Sequence, residues 1–274
     1  MISTSRLSVG YRSSRRTRLL LSDVNISLAP GLTALLGGNG RGKSTLMRTL
    51  AGLQSPLAGS VTVDGVPLSD LSPAELARRL TIVTGSSAGA GAFTVEELVA
   101  MGRYPYTGFF GRKSPRDRKA IARAMELTGI TSLRTRHVGS LSDGERQKAL
   151  IAKALAQDTP TILLDEPTAY LDVAARLELL ALLAQIAHAD NRDILLSTHD
   201  IAPTLPIADT LWLMLPNSPE SSDTSTPPET PESTLITGTP ATLTADGSLD
   251  RLFPKTPIHF DPRRGDFILT TPHC

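Results

Sequence analysis

Residues 31–44 read GLTALLGGNGRGKS, an apolar run followed directly by a glycine-rich loop and a Lys-Ser pair. The apolar run predicts a buried β-strand, and Ser44 to Leu53 predict a short helix. Residues 37–44 therefore fit the pattern G-x-x-x-x-G-K-[ST] in the strand–loop–helix context that the pattern requires. Glycines allow successive backbone N–H groups to surround phosphate oxygens, and the start of a helix adds a partial positive charge. The stretch predicts a phosphate-binding loop; an accidental glycine turn beside a surface lysine is the disfavoured alternative.

The side chains of this loop predict how a nucleoside triphosphate would be held. Lys43 would reach the β- and γ-phosphates, and the Ser44 hydroxyl would bind Mg²⁺. The predicted cofactors are therefore ATP and Mg²⁺. The predicted ATP-binding residues of the loop are Gly37, Gly38, Asn39, Gly40, Arg41, Gly42, Lys43, Ser44 and Thr45.

A second motif, ILLDEP at residues 162–167, supplies two carboxylates. Together with Thr161, its apolar half predicts a central parallel strand covered on both faces. At the exit of that strand, Asp165 would hold Mg²⁺ through water, and Glu166 would position and deprotonate the attacking water. Taken alone, such a pair is more often a helix cap or a solvated turn. Beside the glycine loop, the catalytic interpretation is favoured.

Strands and helices alternate along the rest of the chain, which implies right-handed crossovers, a mostly parallel sheet and an α/β fold. Residues 59–66 predict a strand closed by a turn at Asp64-Gly65. The segment GSSAGAGA, residues 85–92, predicts a mobile loop. The other predicted elements are helices at 73–80, 94–101, 115–129, 142–156 and 173–189, the last strongly amphipathic, and strands at 161–164, 193–197 and 210–215.

Composition restricts the class of protein further. The chain has 274 residues and 40% hydrophobic content, enough for one large α/β domain or one domain with a small appendage. A formal net charge of +1 provides no overall field that would attract nucleic acid. Cys274 is the only cysteine, which excludes an internal disulfide framework. The sequence shows neither a secretory signal nor an apolar stretch of the roughly 20 residues that a spanning helix needs, so we expect a cytoplasmic protein.

Residues 141–145, LSDGE, stand just before a predicted helix that leads into the DE strand. The pentapeptide resembles LSGGQ, the signature of the ABC cassette ATPases. Because Ser-x-x-Glu is also a plain capping box, the placement carries the resemblance. In that family the Ser hydroxyl and the glycine amides bind the γ-phosphate held by the opposite subunit. The resemblance implies this role in trans for Ser142, Asp143, Gly144 and Glu145.

The resemblance extends over almost the whole cassette. Tyr11 matches the aromatic residue that stacks on adenine, although a tyrosine on a solvent-edge strand is the alternative. Tyr170-Leu171-Asp172 matches the D-loop that crosses the dimer interface. His199 matches the switch histidine that contacts the γ-phosphate, whereas a lone histidine at a strand end is usually structural. The resemblance implies that Glu166 and His199 are the catalytic residues.

The resemblance also implies an architecture, that of a P-loop NTPase ABC cassette. Its parts would be a mostly parallel central sheet, an antiparallel N-terminal β-subdomain and a helical signature subdomain at about 94–156. We predict that the cassette covers residues 1–215. Residues 216–234, PNSPESSDTSTPPETPEST, predict a low-complexity insert or linker, because this composition cannot bury enough apolar surface to order itself. Residues 235–274 are predicted to form a small C-terminal extension packed on the cassette.

One position departs from the family pattern. ABC cassettes carry a glutamine after the strand that corresponds to LTIV, where it meets Mg²⁺ and the permease interface. The aligned position here is about Gly85, and no glutamine occurs between Gln54 and Gln147. Either Ser86, Ser87 or a water fills that place, or coupling differs from the family. Our hypothesis is that the loop docks the permease and contributes little to Mg²⁺ binding.

The segment TVEELVAMGRYPYTGFFG, residues 94–111, resembles the ATPases of importers for ferric siderophores, haem and cobalamin. This resemblance implies a homodimer beneath a separate transmembrane permease, peripheral on the cytoplasmic face of the inner (plasma) membrane. A substrate-binding protein would be an indirect partner, and nucleic acid would not be a partner. An unrelated cargo is an alternative, because substrate specificity resides in other subunits.

Two other function classes share part of this pattern. A nucleotide kinase would lack the signature helix, and a DNA-repair ATPase would insert coiled coils for which 274 residues leave no room. An ATP-binding regulatory or scaffold module with weak hydrolysis is made conceivable by the missing glutamine and the altered LSDGE. Glu166 and His199 argue against such a module. The single cassette excludes the two-cassette proteins that act on ribosomes.

Overall fold

The computed structural model describes residues 1–12, 17–84, 90–108, 111–217, 231–254 and 257–269. Its strands are β1 (Ile2–Arg12), β2 (Thr17–Val24), β3 (Gly31–Gly37), β4 (Ala58–Val63), β5 (Val66–Pro67), β6 (Leu80–Val83), β7 (Thr161–Asp165), β8 (Asp193–Thr198), β9 (Thr210–Pro216), β10 (Ser233–Gly238), β11 (Ile258–Asp261) and β12 (Asp266–Leu269). Its α-helices are α1 (Lys43–Leu50), α2 (Pro73–Arg79), α3 (Val95–Ala100), α4 (Pro115–Leu127), α5 (Asp143–Gln157), α6 (Val173–Ala189), α7 (Ile201–Thr204) and α8 (Pro240–Ala245). Short 3₁₀ turns occur at Leu68–Asp70, Ala90–Ala92, Met101–Arg103, Thr131–Leu133, Val138–Ser140 and Asp250–Leu252.

The central sheet has the strand order β10-β9-β3-β8-β7-β6. All neighbouring pairs are parallel except β9 and β10. Strands covered on both faces are apolar along their whole length, which explains the runs that form β3, β7 and β8. The carboxyl ends of parallel strands meet at one edge, so the residues after these three strands share that edge. The predicted mostly parallel α/β sheet is confirmed.

A second, antiparallel sheet has the order β2-β1-β4-β5. The predicted turn at Asp64-Gly65 joins β4 to β5, and both residues have positive φ, 51° and 76°. This is the backbone that a two-residue hairpin requires. The inner face of this sheet packs on α1 and on the central sheet, and the shared core includes Leu7, Leu21, Leu35, Met47 and Val61. The predicted antiparallel N-terminal β-subdomain is therefore present.

Helices α3, α4 and α5 pack on one another in the range 94–156. Each begins with the same local device, a capping box in which the first residue and an acidic residue three positions later bond each other's backbone. The pairs are Thr94 with Glu97, Ser114 with Asp117, and Ser142 with Glu145. The shared core includes Val95, Leu98, Ile121, Met125 and Ile151.

Arg103 lies inside this helical region. Its side chain is only 2% exposed, and Nε donates to Asp117 Oδ1 at 2.8 Å. The same guanidinium donates to the Ala156 carbonyl and lies 3.9 Å from the centroid of the Tyr106 ring. Hydrogen bonds from Ser114 and Arg103 lower the pKa of Asp117 to about 2. The GRYPY segment, on which the resemblance to a subfamily depends, is thus a packing centre between α4 and α5.

The prediction of strong amphipathicity for α6 is wrong. One face is buried through Leu179, Leu183 and Ile186, but Val173 and Leu177 are exposed on the first turns. Apolar residues therefore stand on both the buried and the exposed side of this helix. Sequence periodicity missed this because an apolar surface near one helix end has no signature of its own.

The C-terminal part begins as a strand of the central sheet. β10 pairs with β9 from Ser233 opposite Pro216 to Gly238 opposite Leu211. Beyond it, β11 and β12 form a hairpin whose Phe260 and Phe267 rings meet edge to face, with centroids 5.2 Å apart. The division into a cassette, an insert at 216–234 and an extension at 235–274 stays a prediction, and residues 218–230 lie outside the described part of the chain.

Two further predictions concern loops and membranes. Of the predicted loop at 85–92, residues 85–89 lie outside those that the structure describes, and Ala90–Ala92 form a 3₁₀ turn. Ser86, Ser87 and the position near Gly85 therefore fall in a range without structural description. Among the described helices, none has the length and apolar character needed to cross a membrane.

Candidate functional site

The glycine loop connects β3 to α1 at the carboxyl edge of the central sheet. Gly40 and Gly42 have φ of 73° and 105°, a region that favours glycine. A Cβ on Gly42 would also lie 2.9 Å from a methyl carbon of Leu20. Gly42 is the N-cap of α1 and makes no side-chain capping hydrogen bond. The first amides of α1 are therefore left to an anion, as the motif predicts.

Lys43 is folded back into this loop. Its side chain is 4% exposed, and Nζ donates to the carbonyls of Gly37 and Gly38 at 2.8 and 3.3 Å. Nζ also lies 3.5 Å from Glu166 Oε1. A buried ammonium is costly unless it is paired, so these contacts hold the charge in place. The lysine of the loop and the predicted base thus face one another.

Ser44 and Asp165, the predicted Mg²⁺ ligands, are in contact. Asp165 Oδ1 accepts hydrogen bonds from Ser44 Oγ at 3.1 Å and from Ser197 Oγ at 2.7 Å. A hydroxyl beside one carboxylate suits Mg²⁺, which prefers oxygen ligands and usually completes its shell with water and substrate phosphates. Among the described residues, no group of three or more His, Cys, Asp or Glu side chains could hold a metal ion.

Ser197 was not predicted as a site residue. It lies on β8, between the strands that carry the glycine loop and the carboxylates, and it pairs with Asp165 in the sheet register. Its hydroxyl donates to Asp165 and accepts from the Glu166 amide at 2.9 Å. Its side chain is completely buried. The available sequence signal was a hydroxyl at the end of an apolar strand, but the strand order was needed to interpret it.

Glu166 adopts a left-handed backbone conformation, with φ of 49°. Non-glycine residues rarely take this conformation, and it costs on the order of 1–3 kcal/mol unless the surroundings enforce it. Here the Glu166 amide is held by both the carbonyl and the hydroxyl of Ser197. The turn that results directs the carboxylate toward Lys43 rather than along the strand.

A cavity of about 260 Å³ lies over the loop. Tyr11 stands at its rim, half exposed, and its hydroxyl is 2.6 Å from Thr45 Oγ1. The residues that line the cavity are Tyr11, Arg18, Leu20, Gly40, Gly42, Lys43, Ser44, Thr45 and Glu166. A larger cavity of about 760 Å³, between α2, β4 and the end of α1, contains none of the predicted site residues. We place the site in the smaller cavity because the predicted phosphate-binding groups converge there.

His199 does not line this cavity in its own chain. It is half exposed, and its Nε2 lies 3.9 Å from Asp200 Oδ1. Asp200 itself joins two other groups, because it accepts hydrogen bonds from Thr168 at 3.0 Å and from Arg176 at 2.8 Å. This network ties the end of β8 to the turn after β7 and to α6, and sequence reasoning missed it.

The signature residues also lie outside the cavity of their own chain. Ser142 caps α5, and the backbone amides of Ser142 and Glu145 bond each other's side chains at 2.9 and 3.3 Å. Asp143 pairs with Arg146 at 3.0 Å. A Cβ on Gly144 would lie 3.4 Å from Ala175, so the starts of α5 and α6 are neighbours. The capping box is therefore real, and binding of a phosphate in trans stays a prediction.

The turn that contains Tyr170 and Asp172 leads into α6. Tyr170 is 91% exposed with φ of 67°, and Asp172 caps α6 through a 2.8 Å hydrogen bond from the Ala175 amide. This surface adjoins the exposed Val173 and Leu177. An exposed aromatic beside two exposed aliphatic residues is typical of a contact surface.

Comparison with known proteins agrees with this geometry. The family model described as ABC transporter matches residues 21–169, which contain the glycine loop, LSDGE and the DE strand. The chain belongs to the ABC transporter family. The resemblance stated for the sequence is confirmed at this level, and the chain is an ATP-binding cassette of that family, whose ATPases are coupled to transport.

Relatives of the cassette include import proteins. A probable siderophore transport system ATP-binding protein, YusV of Bacillus subtilis, is 40% identical over 201 residues, 73% of this chain and 72% of the relative. The iron(3+)-hydroxamate import ATP-binding protein FhuC of the same organism is 39% identical over 201 residues, 73% of each chain. Among solved structures, cbiO1 from Clostridium perfringens, part of the transporter complex cbiONQ, superposes with a TM-score of 0.72 at 28% identity, over 91% of this chain and 92% of that one.

Proposed function

We propose that this cassette hydrolyses ATP to energise import of an iron-siderophore, haem or cobalamin-type substrate through a separate permease. The observation that carries the proposal is the convergence of Lys43, Ser44, Asp165 and Glu166 at one edge of the sheet. The names of the two Bacillus relatives support an iron-chelate cargo. A cargo outside this group is the alternative, because the cassette itself would not touch the cargo.

Different residues of the chain have different roles in the proposed reaction. The loop amides and Lys43 bind the phosphates; Ser44, and Asp165 through water, would hold Mg²⁺, which would neutralise charge on the phosphates. Glu166 orients a water molecule and accepts its proton while the water oxygen attacks the γ-phosphorus. The bond from that phosphorus to the β-phosphate oxygen breaks, and ADP and phosphate leave. Before this step Lys43 must turn from Glu166 to the phosphates, which frees the carboxylate for the water.

The partner of the site would be a second copy of the chain. Ser142 and Asp143 are exposed and lie outside their own cavity, as groups that serve a neighbour must. Two chains arranged head to tail would enclose two ATP molecules, with His199 of each site contacting the γ-phosphate and Asp172 at the interface. Closure on ATP and opening after hydrolysis would move the two permease contacts. We also propose a peripheral position on the cytoplasmic face of the membrane, with a substrate-binding protein as an indirect partner.

One experiment tests the shared site. Size-exclusion chromatography of Glu166→Gln with ATP and Mg²⁺ should give a dimer, and without ATP a monomer. Glu126→Gln, which neutralises an exposed acid on α4, serves as the matched control and should remain monomeric because it hydrolyses ATP. A Glu166→Gln protein that binds ATP but stays monomeric would contradict dimerisation by this chain alone.

A second experiment separates the transport ATPase from a regulatory module. Phosphate release by the cassette should rise when its permease is present in vesicles, and rise again with loaded substrate-binding protein. A module that only regulates or scaffolds would bind ATP without such stimulation. The regulatory module is retained as a second candidate because no glutamine occurs near Gly85.

A further inference from the structure

Arg18 lines the nucleotide cavity but belongs to none of the predicted motifs. It stands on β2 directly opposite Tyr11 on β1, so the two side chains lie on the same face of the sheet. Tyr11 reaches Thr45 on that face, and Arg18 lies in the same cavity as Lys43 and Glu166. Arg18 therefore lines the cavity beside Tyr11, the residue predicted to stack on adenine.

The orientation of Arg18 is fixed from the far end of the chain. Glu232 accepts hydrogen bonds from Arg18 Nε and a terminal nitrogen at 2.7 and 2.9 Å. Glu232 is itself held, because its amide donates to the Leu19 carbonyl at 3.1 Å. The next residue, Ser233, is buried, and its hydroxyl lies 3.5 Å from the carbonyl of Arg41 in the glycine loop. Glu232 and Ser233 thus contact the Arg18 side chain and the backbone of the glycine loop, respectively.

The Arg18–Glu232 ion pair contributes too little to folding stability for that to explain its geometry. Its side chains are 58% and 38% exposed, and an exposed ion pair adds little to the free energy of folding. A bidentate carboxylate does, however, fix the plane of a guanidinium and leave its other N–H groups free to donate. Those donors are suited to the hydroxyls of a ribose or the ring nitrogens of a base.

We propose that Arg18 contacts the nucleoside part of the bound nucleotide and that Glu232 is its positioning residue. The inference rests on the proposed ATP-binding function and deepens it. It gives the end of the predicted insert at 216–234 a part in nucleotide recognition, because Glu232 lies there. Loss of the contact should weaken ATP and ADP alike, and should leave a ligand that has only phosphates unaffected.

The test measures dissociation constants by calorimetry for ATP, ADP and tripolyphosphate, each with Mg²⁺. Arg18→Ala should weaken ATP and ADP about 10-fold, as expected for hydrogen bonds from a charged group, and change tripolyphosphate less than about twofold. Glu232→Gln should give a smaller loss, about threefold, because one neutral acceptor holds the fork less firmly. The chain offers a matched control in Arg134 and Glu96, another exposed bidentate pair at 59% and 38% exposure, so Arg134→Ala should change no affinity.

A charge exchange separates recognition from structure. In the double variant Arg18→Glu, Glu232→Arg, the ion pair can form again and the melting temperature should match that of the unsubstituted protein. ATP affinity should stay weak, because a carboxylate now faces the nucleotide. Recovery of ATP affinity in this variant, or an Arg18→Ala protein with unchanged ATP affinity, would overturn the inference alone. An unsubstituted protein that binds no ATP would instead overturn the proposed function, and this inference with it.

Discussion

The Nζ atom of Lys43 lies 3.5 Å from Oε1 of Glu166, so the lysine of the glycine loop and the candidate base form an ion pair. An incoming γ-phosphate must compete with Glu166 for the same ammonium. The pair therefore links nucleotide binding to release of the base, since the carboxylate becomes available for water only after Lys43 has turned away. This relationship leads to the first prediction.

Glu166→Gln should lower the rate of phosphate release by about 100-fold or more, because a neutral amide cannot accept the proton of the attacking water. The same change should leave ATP affinity equal or tighter, since the amide competes less for Lys43. Single-turnover phosphate release and calorimetry measure the two effects. Glu126→Gln is the control for loss of a surface charge. Weaker ATP binding by Glu166→Gln would mean that the ion pair does not oppose the nucleotide.

Ser197→Ala should raise the Mg²⁺ concentration needed for half-maximal hydrolysis about 10-fold, as is usual when a group that orients a metal ligand is removed. The Ser197 hydroxyl donates to Asp165 and accepts from the Glu166 amide, so both groups lose a fixed position. Titration of phosphate release with Mg²⁺ gives the measurement.

Thr33→Val is the matched control for Ser197→Ala. Thr33 is a completely buried hydroxyl residue on the neighbouring strand β3, and within the described residues its Oγ1 has no hydrogen-bond partner. Its replacement should leave the Mg²⁺ requirement unchanged. If both substitutions raised the Mg²⁺ requirement equally, the cause would be a disturbance of the sheet and not the loss of the Ser197 hydroxyl.

Local sequence patterns were sufficient for much of this site. The glycine loop, the DE pair and the capping box at Ser142 each depend on residues a few positions apart, so their geometry is encoded locally. The hairpin at Asp64-Gly65 is of the same kind. The order of the central strands, and therefore which strand ends are neighbours, depends on pairing between distant segments.

Two of the features that sequence reasoning missed depend on such long-range pairing. Ser197 acquires its place because β8 lies between β3 and β7. The Arg18–Glu232 pair joins residues separated by 214 positions. The exposed residues of α6 were missed for another reason: apolar residues on both sides of a helix give the same sequence pattern whether a core or a partner covers them.

Arg103→Met should lower the free energy of unfolding by about 3–5 kcal/mol, because it leaves Asp117 as a buried charge without its partner. The side chains of the pair are only 2% and 5% exposed. Urea titration followed by circular dichroism measures the change. Arg134→Ala, which breaks an exposed pair, should lower the free energy of unfolding much less than Arg103→Met does. If the two variants lost the same free energy of unfolding, the Arg103–Asp117 pair would have to be solvated in solution.

Asp117 should make stability depend on pH in the acid range. Its pKa in the folded protein is about 2, lowered first by the Ser114 hydroxyl and then by Arg103. A lowered pKa means that this group stabilises the fold at pH above its unfolded pKa of about 3.9, and that the contribution is lost as the pH falls through about 2. Between those limits the urea midpoint of the unsubstituted protein should fall more steeply than that of Asp117→Asn. If the urea midpoints of the two proteins changed in parallel with pH, the low pKa assigned to Asp117 would be contradicted.

His188 should make the stability of the fold decrease as the pH rises near neutrality, whereas Asp117 makes it increase with pH in the acid range. Its Nε2 lies 3.1 Å from Asp209 Oδ2, and this hydrogen bond, together with one to the Ala184 carbonyl, raises the pKa of the imidazole. A raised pKa means that the pair contributes its full stability below the unfolded pKa of about 6.5, and that the contribution disappears as the pH rises through the higher folded value. Asp209 also accepts from the Leu32 amide at the start of β3, so the pair ties α6 to the central sheet.

Melting temperatures measured from about pH 5.5 to 8.5 check this expectation, because the range spans the titration of histidine. The unsubstituted protein should lose more stability over that range than His188→Gln, whose amide does not titrate. If the His188→Gln curve ran parallel to that of the unsubstituted protein, the contact with Asp209 would contribute no pH-dependent stability, and α6 would be held to the sheet by its apolar face alone.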